Sequence, residues 1–163
     1  MVSASTTFAS STVVQAPMRV VWDVMTDHVR WARWGTSKRV TIERPGVPSP
    51  NGLGAIRCFH SGPVKVREEV TAWEPPRRMA YRLNTTTMTR SYDSEMVLVA
   101  GTGAGGVPTT LEWSSTFVPR VPGTAWFVRR VFERAVQGFA AGIRREAEAE
   151  AQGGSPAAKE DAS

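Results

Sequence analysis

The second half of the chain changes its hydrophobic period once, and that change separates a strand from a helix. From Thr109 to Pro119 the sequence alternates: Leu111, Trp113, Ser115 and Phe117 fall on one side, Glu112, Ser114 and Thr116 on the other. A half-buried strand has this period of two. Pro119 and Pro122-Gly123 end it, and beyond them Val128, Phe132, Ala135, Phe139 and Ile143 recur at spacings of three and four. That spacing draws one apolar stripe along a long helix.

Upstream, Thr6–Gln15 reads as a first strand, with Phe8, Val13 and Val14 supplying its apolar content. Pro17 opens a short helix, being tolerated at a first helical position, and Val20, Val21, Val24 and Met25 give it an apolar face. A second short helix follows over Asp27–Gly35, where Trp31 and Trp34 lie three apart. Strands are then predicted at Val40–Glu43, Ala55–His60, Val64–Trp73, Arg78–Asn84, Ser91–Val99 and Thr109–Val118. Proline- and glycine-rich stretches at 45–54 and 101–108 read as loops. One strand, two short helices, six strands and a long helix predict an α+β fold with an antiparallel sheet. The long helix, laid in the curve of that sheet, would bury its stripe against Leu111, Trp113 and Phe117. The pattern supports a single domain over residues 1–151, with a small, polar, disordered tail over 152–163.

Composition narrows the class. A chain of 163 residues that is 41% hydrophobic can bury one core rather than two. No stretch approaches the roughly 20 apolar residues that span a bilayer, so no stable membrane insertion is expected. The first residues lack a charged segment followed by an apolar one, which leaves a cytoplasmic location as the expectation. Cys58, the lone cysteine, forms no internal disulfide and reads as buried and inert. The net charge of +5 is scattered over loops and the flank of the last helix, so no nucleic-acid partner is expected. With only His28, His60 and one cysteine of the softer ligand types, neither a metal nor another cofactor is expected.

The opening Val14-Gln-Ala-Pro17, then Val21-Trp22-Asp23-Val24-Met25-Thr26-Asp27, Trp31 and Trp34, resembles the start of a known superfamily. It is the START-like, polyketide cyclase/dehydrase and lipid transport (SRPBCC) superfamily, which also holds the birch-pollen-allergen-like proteins. The middle stretch Glu68-Glu-Val-Thr-Ala-Trp73-Glu-Pro-Pro-Arg-Arg-Met-Ala-Tyr81 is similar to its central hairpin and Pro-Pro turn. Thr109 through Pro119 resembles its last strand, and the likeness runs over about residues 6 to 150. The resemblance implies a helix-grip fold, a curved antiparallel sheet of six or seven strands wrapped on a C-terminal helix. It also implies an apolar cavity between the two, holding lipids, sterols, polyketides or hormones, and in a minority of members cyclisation or aromatisation chemistry.

Within such a cavity, proton-transfer groups are the residues to find. His60 is the first candidate by type, and it shares a face with Ile56 and Cys58, opposite Ala55, Arg57 and Phe59. If Ile56 faces the sheet interior, His60 does too. Glu68 is the second, because it shares parity with Val64, Val66, Val70 and Ala72 and an inward face there would carry it into the cavity; the alternative is a bulge that turns it to solvent beside Arg67. Burying that charge requires a partner, and Arg57 and Arg82 are the two candidates. Tyr81 and Tyr92 are candidate phenolic donors. Trp31 and Trp34 are placed at the lip of the cavity and Trp113 on its floor, with Phe117, Phe139 and Ile143 completing the candidate ligand-binding set. Core packing is the competing reading for each tryptophan.

Three functions fit these residues. The first is a carrier for a lipid-like or aromatic small molecule. The second is a cofactor-independent polyketide aromatase/cyclase using His60, Glu68 or a tyrosine. The third is an interaction module whose cavity is filled by side chains. The oligomeric state stays open, a homodimer included, and an apolar surface at Trp126-Phe127 could be a subunit contact or the cavity mouth.

Overall fold

Seven strands form, at the places where the period of two predicts them. The computed structural model describes residues 4–84 and 87–153. In chain order they are β1 (Thr6–Val14), β2 (Arg39–Arg44), β3 (Ile56–Ser61), β4 (Val64–Glu74), β5 (Arg78–Leu83), β6 (Thr89–Ala100) and β7 (Thr109–Pro119). They build one antiparallel sheet in the order β1-β7-β6-β5-β4-β3-β2. Only the pairing of the first strand with the last departs from simple neighbours, running from Thr6↔Phe117 to Val14↔Thr109. Two helical segments sit between β1 and β2: α1 (Met18–Thr26) and a 3-10 helix, His28–Arg33. Pro17 caps α1 from outside, in an extended conformation (φ −62°, ψ 147°), rather than entering its first turn. The long helix α2 spans Ala125–Gly153, two residues beyond the expected domain end. The remainder of the tail, 154–163, lies outside the described residues.

The alternation in β7 becomes a strict alternation of burial, with Leu111, Trp113, Ser115 and Phe117 all turned to the interior. α2 packs chiefly on β1, β7 and α1. Its buried line is Val128, Val136, Ala140, Ile143 and Ala147, so Phe132, Ala135 and Phe139 of the predicted stripe lie on one flank of the contact. Trp22 is core, as its place on α1 suggests, and meets Trp73 edge-on with ring centroids 5.0 Å apart. Trp73 points inward because the β4–β5 register slips between Val70 and Ala72. That bulge sets Val70 opposite Tyr81 and Trp73 opposite Met79, two inward pairs at a spacing of three.

Many of the basic side chains are paired with acidic ones on the outer surface. Glu43–Arg67 and Arg44–Glu69 reach from β2 across β3 to β4, Arg82–Asp93 joins the neighbouring β5 and β6, and Arg78 joins both Glu74 and Glu95. Arg30 ties the 3-10 helix to α2 through Glu146 and Glu150. Exposed pairs of this kind contribute little stability each. Among the described residues, no helix is long and apolar enough to cross a membrane.

One contact seats the 3-10 helix on α2. The Trp34 indole lies over Gly142 so closely that a Cβ there would stand 2.2 Å from Cγ of Trp34. Its Nε1 donates to Glu146 at 2.7 Å. Gly142→Ala gains helix propensity of about 1 kcal/mol, but the clash is with the base of the indole, which cannot swing away without losing that bond. Overpacking therefore wins, with a net loss of about 1–2 kcal/mol in denaturant unfolding. Trp34→Ala placed on top of Gly142→Ala should recover the helix-propensity gain; an undiminished penalty in the double variant would refute this account.

Candidate functional site

Because α2 rests on the β1–β7 side of the curve, a hollow of about 160 Å³ remains over the middle strands. The sheet contributes Phe59 of β3, Val66 and Glu68 of β4, Tyr81 and Leu83 of β5, and Tyr92 of β6. α2 contributes the flank that its sheet contact leaves over: Phe132, Ala135, Val136 and Phe139. Trp31, Thr36 and Ser37 close the third side. Thr36 and Ala135 are exposed, so the hollow opens to solvent between them. Among the described residues, Glu68 is the one charged side chain on its wall.

Antiparallel register brings Glu68 its partner. Arg57 stands opposite it on β3, both turned inward. Arg57 Nε donates to Glu68 Oε2 at 2.7 Å, and Nη2 lies 2.6 Å from the same oxygen. The guanidinium is completely buried. Its Cζ lies 4.1 Å from the centroid of Trp31, 4.6 Å from Tyr81 and 5.5 Å from Phe59. Three π faces thus surround a cation whose Nη1 has no hydrogen-bond partner, replacing part of its lost hydration. Burial pushes the Glu68 carboxyl above the usual range, against the opposing pull of Arg57. The guanidinium cannot give up its proton, and a neutral Glu68 would leave it as an uncompensated buried cation. The pair therefore stands as carboxylate and guanidinium at neutral pH.

A second, uncharged network lies deeper. Tyr92 Oη donates to Ser115 Oγ at 2.9 Å, and Ser115 and Ser94 hydroxyls meet at 2.9 Å. Trp113 Nε1 donates to Ser94 Oγ at 2.8 Å. Burial pushes the Tyr92 phenol up to about 12 and holds the Tyr81 phenol well above its usual value, so both are neutral hydroxyls. His28 is fully buried behind Trp31, its Nε2 3.4 Å from Met79 Sδ, while Nδ1 has no partner. Burial first, then the nearby Arg57 charge, holds the imidazole well below its ordinary pKa.

The structure separates the candidates. Trp31, Tyr81, Tyr92, Phe139 and Glu68 line the hollow. Trp113, Phe117 and Ile143 are buried core, not wall: the space they were expected to border is filled by α2 itself. Trp34 lies on α2 at Gly142, outside the hollow. His60 is corrected as well. It faces the outer side of the sheet and shares a 2.9 Å hydrogen bond with Thr41 Oγ1, because the inward face of β3 is the one that carries Arg57 and Phe59. A charge took the inside because its counter-charge stood opposite, reversing the parity that apolarity alone predicts. Arg82, the other candidate partner for Glu68, is spent on Asp93 outside. Trp126 and Phe127 are exposed and do not border the hollow. Phe59 and Leu83 were missed, whereas Val66 shares the inward parity of Glu68. The parity rule names Phe59 once Arg57 is known to face inward.

Two outcomes follow. Removing one member of the buried pair strands the other, so Glu68→Leu or Arg57→Met alone should cost about 3–5 kcal/mol, whereas the double variant should unfold near wild type in a denaturant titration. A double variant as unstable as the worse single would refute the coupling. For His28, the folded pKa lies below the unfolded one, so the unfolded chain takes up the proton first and stability falls as pH drops through the ordinary imidazole range. The thermal midpoint should drop between pH 7.5 and 5.5, and His28→Leu should flatten that drop. An equal drop in the variant would point to another group.

Residues 5–148 match the family described as polyketide cyclase / dehydrase and lipid transport. None of the curated proteins matches the chain. Among solved structures, Ara h 8.0201 is similar at a TM-score of 0.72 and 12% identity, over 90% of this chain and 99% of its own. The di-domain ARO/CYC protein StfQ from the steffimycin biosynthetic pathway is similar at a TM-score of 0.71 and 12% identity, over 91% of this chain and 52% of its own. A START superfamily protein from Mycobacterium smegmatis is similar at 0.67 and 11%, over 90% and 97%. At these identities the likenesses establish the fold, an open antiparallel sheet closed by a long C-terminal helix. The family match covers most of the sequence, and the chain belongs to the polyketide cyclase / dehydrase and lipid transport family.

Proposed function

We propose that this protein binds a small, flat, apolar molecule in the hollow between α2 and strands β3 to β6. The observation that carries the reading is the wall itself: Trp31, Phe59, Tyr81, Phe132 and Phe139 surround space that opens to solvent. Apolar walls with a few convergent polar groups are the usual make-up of a small-molecule site. Size sets the scale of the ligand. Pockets for drug-sized molecules run from about 300 Å³ upward, whereas a cavity of about 150 Å³ takes a benzene-sized ring. At about 160 Å³ the hollow suits one ring, with substituents leaving through the mouth; a whole sterol or an extended acyl chain does not fit.

An aromatase/cyclase reading keeps one supporting observation, that Glu68 is a titratable group facing the hollow with a raised pKa. It loses His60, which lies on the opposite face of the sheet. Open space on the wall of Glu68 counts against a module whose interior is filled.

Thermal unfolding in the presence of single-ring aromatics tests the carrier reading. A ligand at 100 times its Kd should raise stability by about 2.7 kcal/mol, while cholesterol and palmitate should leave the midpoint unchanged. Ala135→Phe, placed at the exposed mouth, should abolish the ligand-induced shift with little effect on the free protein. A shift from the sterol but from no single ring would sink the assignment, as would an unaltered shift in Ala135→Phe.

A further inference from the structure

Glu68 presents its two carboxylate oxygens to different environments. Both contacts from Arg57, 2.7 Å from Nε and 2.6 Å from Nη2, reach Oε2, and among the described residues no hydrogen bond engages Oε1 in that way. The guanidinium itself is fully buried behind Trp31 and Tyr81 and is absent from the wall, whereas Glu68 is on it. A ligand in the hollow thus meets the acceptor of the ion pair and never its donor. The other polar groups do not reverse this. The Tyr92 hydroxyl gives its proton to Ser115, and Ser115 and Ser94 are joined to each other and to Trp113. Tyr81 also brings a hydroxyl to the wall, and Thr36 and Ser37 stand on its third side, but all three are neutral; among the described residues Glu68 is the one charged acceptor there.

We infer that the hollow selects an aromatic ring carrying a hydrogen-bond donor, a phenolic hydroxyl in the first instance, whose O–H is accepted by Glu68 Oε1, and that it rejects ring carboxylates. The inference rests on the carrier reading and sharpens it to a chemical class. A neutral phenol answers the acceptor without bringing charge into a low-dielectric site. A carboxylate would set a second anion beside Glu68 with its only counter-ion already engaged, and like charges at such range are strongly disfavoured. A bare hydrocarbon ring would fit but would cover Oε1 and strip it of water without replacing the bond. Hydrogen bonds to a charged group are among the stronger ones, so a preference of tenfold or more for the phenol over the hydrocarbon is expected.

Three probes of matched shape test this: p-cresol, toluene and 4-methylbenzoate, titrated into the whole protein by ligand-observed NMR at pH 7.5. The wild type should bind p-cresol at least tenfold more tightly than toluene, and 4-methylbenzoate most weakly of the three. Glu68→Gln should bring p-cresol to within about threefold of toluene and raise the affinity for 4-methylbenzoate, since Arg57 then has no anion. Should Glu68→Gln fold poorly, the double variant Arg57→Met/Glu68→Leu removes both charges together and should place toluene at or above p-cresol. If all three rings bind the wild type alike, or the carboxylate binds best, the class assignment is wrong and the carrier reading survives. If none binds, both are wrong.

Discussion

A cation and an anion held inside the curve of a β-sheet are the constraint around which this protein is arranged. Arg57 and Glu68 lie opposite one another on β3 and β4, and both face the interior. Neither could be there alone, since an isolated buried charge costs far more than any single contact returns. The partner across the ladder removes most of that cost, and the faces of Trp31, Tyr81 and Phe59 address what remains on the guanidinium side. Those three rings come from the 3-10 helix, β5 and β3 respectively. One pair therefore fixes which way β3 and β4 present their side chains and where the first tryptophan of the 3-10 helix must sit.

The hollow is what remains once that demand and the docking of α2 are both met. α2 lies close to β1, β7 and α1 through small and medium residues, Val136, Ala140, Ile143 and Ala147 among them. Its larger rings, Phe132 and Phe139, stand on the flank and reach over β3 to β6 without filling the gap to the sheet. Trp31 occupies much of the remaining volume, with its indole 4.9 Å from the Phe139 ring and 5.6 Å from Trp113. The result is a compact, aromatic-walled space with a single charged acceptor on it. Fold and family are shared with other proteins; the size and polarity of the space come from these particular side chains, which is where function has to be argued.

Much of the site could be read from parity along strands, and its failures are instructive. The period of two allows Glu68 inward and the rule that buried charges are paired offers Arg57 or Arg82 as partner; the register of β3 and β4 chose Arg57. The same arithmetic carries His60 inward only if Ile56 is inward, and Ile56 sits half-buried at the strand's start. Arg57, two residues into β3, set the parity instead. Trp113 and Phe117 were correctly placed on the inner face but not at the hollow, since a strand pattern names a face without saying what covers it. Trp34 was placed at the cavity lip because it follows Trp31 by one helical turn, and nothing local reveals that Gly142, more than a hundred residues later, leaves room for it on α2.

The order of elements, the antiparallel sheet and the closing helix were determined by the sequence alone, because periods of two and 3.6 are local properties of a chain with one core to bury; the family was legible in the resemblance of particular stretches to a known one. The bulge at Thr71, the outward turn of His60, the seat of α2 toward one edge and the volume left beside it were decided only in three dimensions. Each depends on a contact between residues far apart in the chain, where register, charge pairing and ring size compete for the same space.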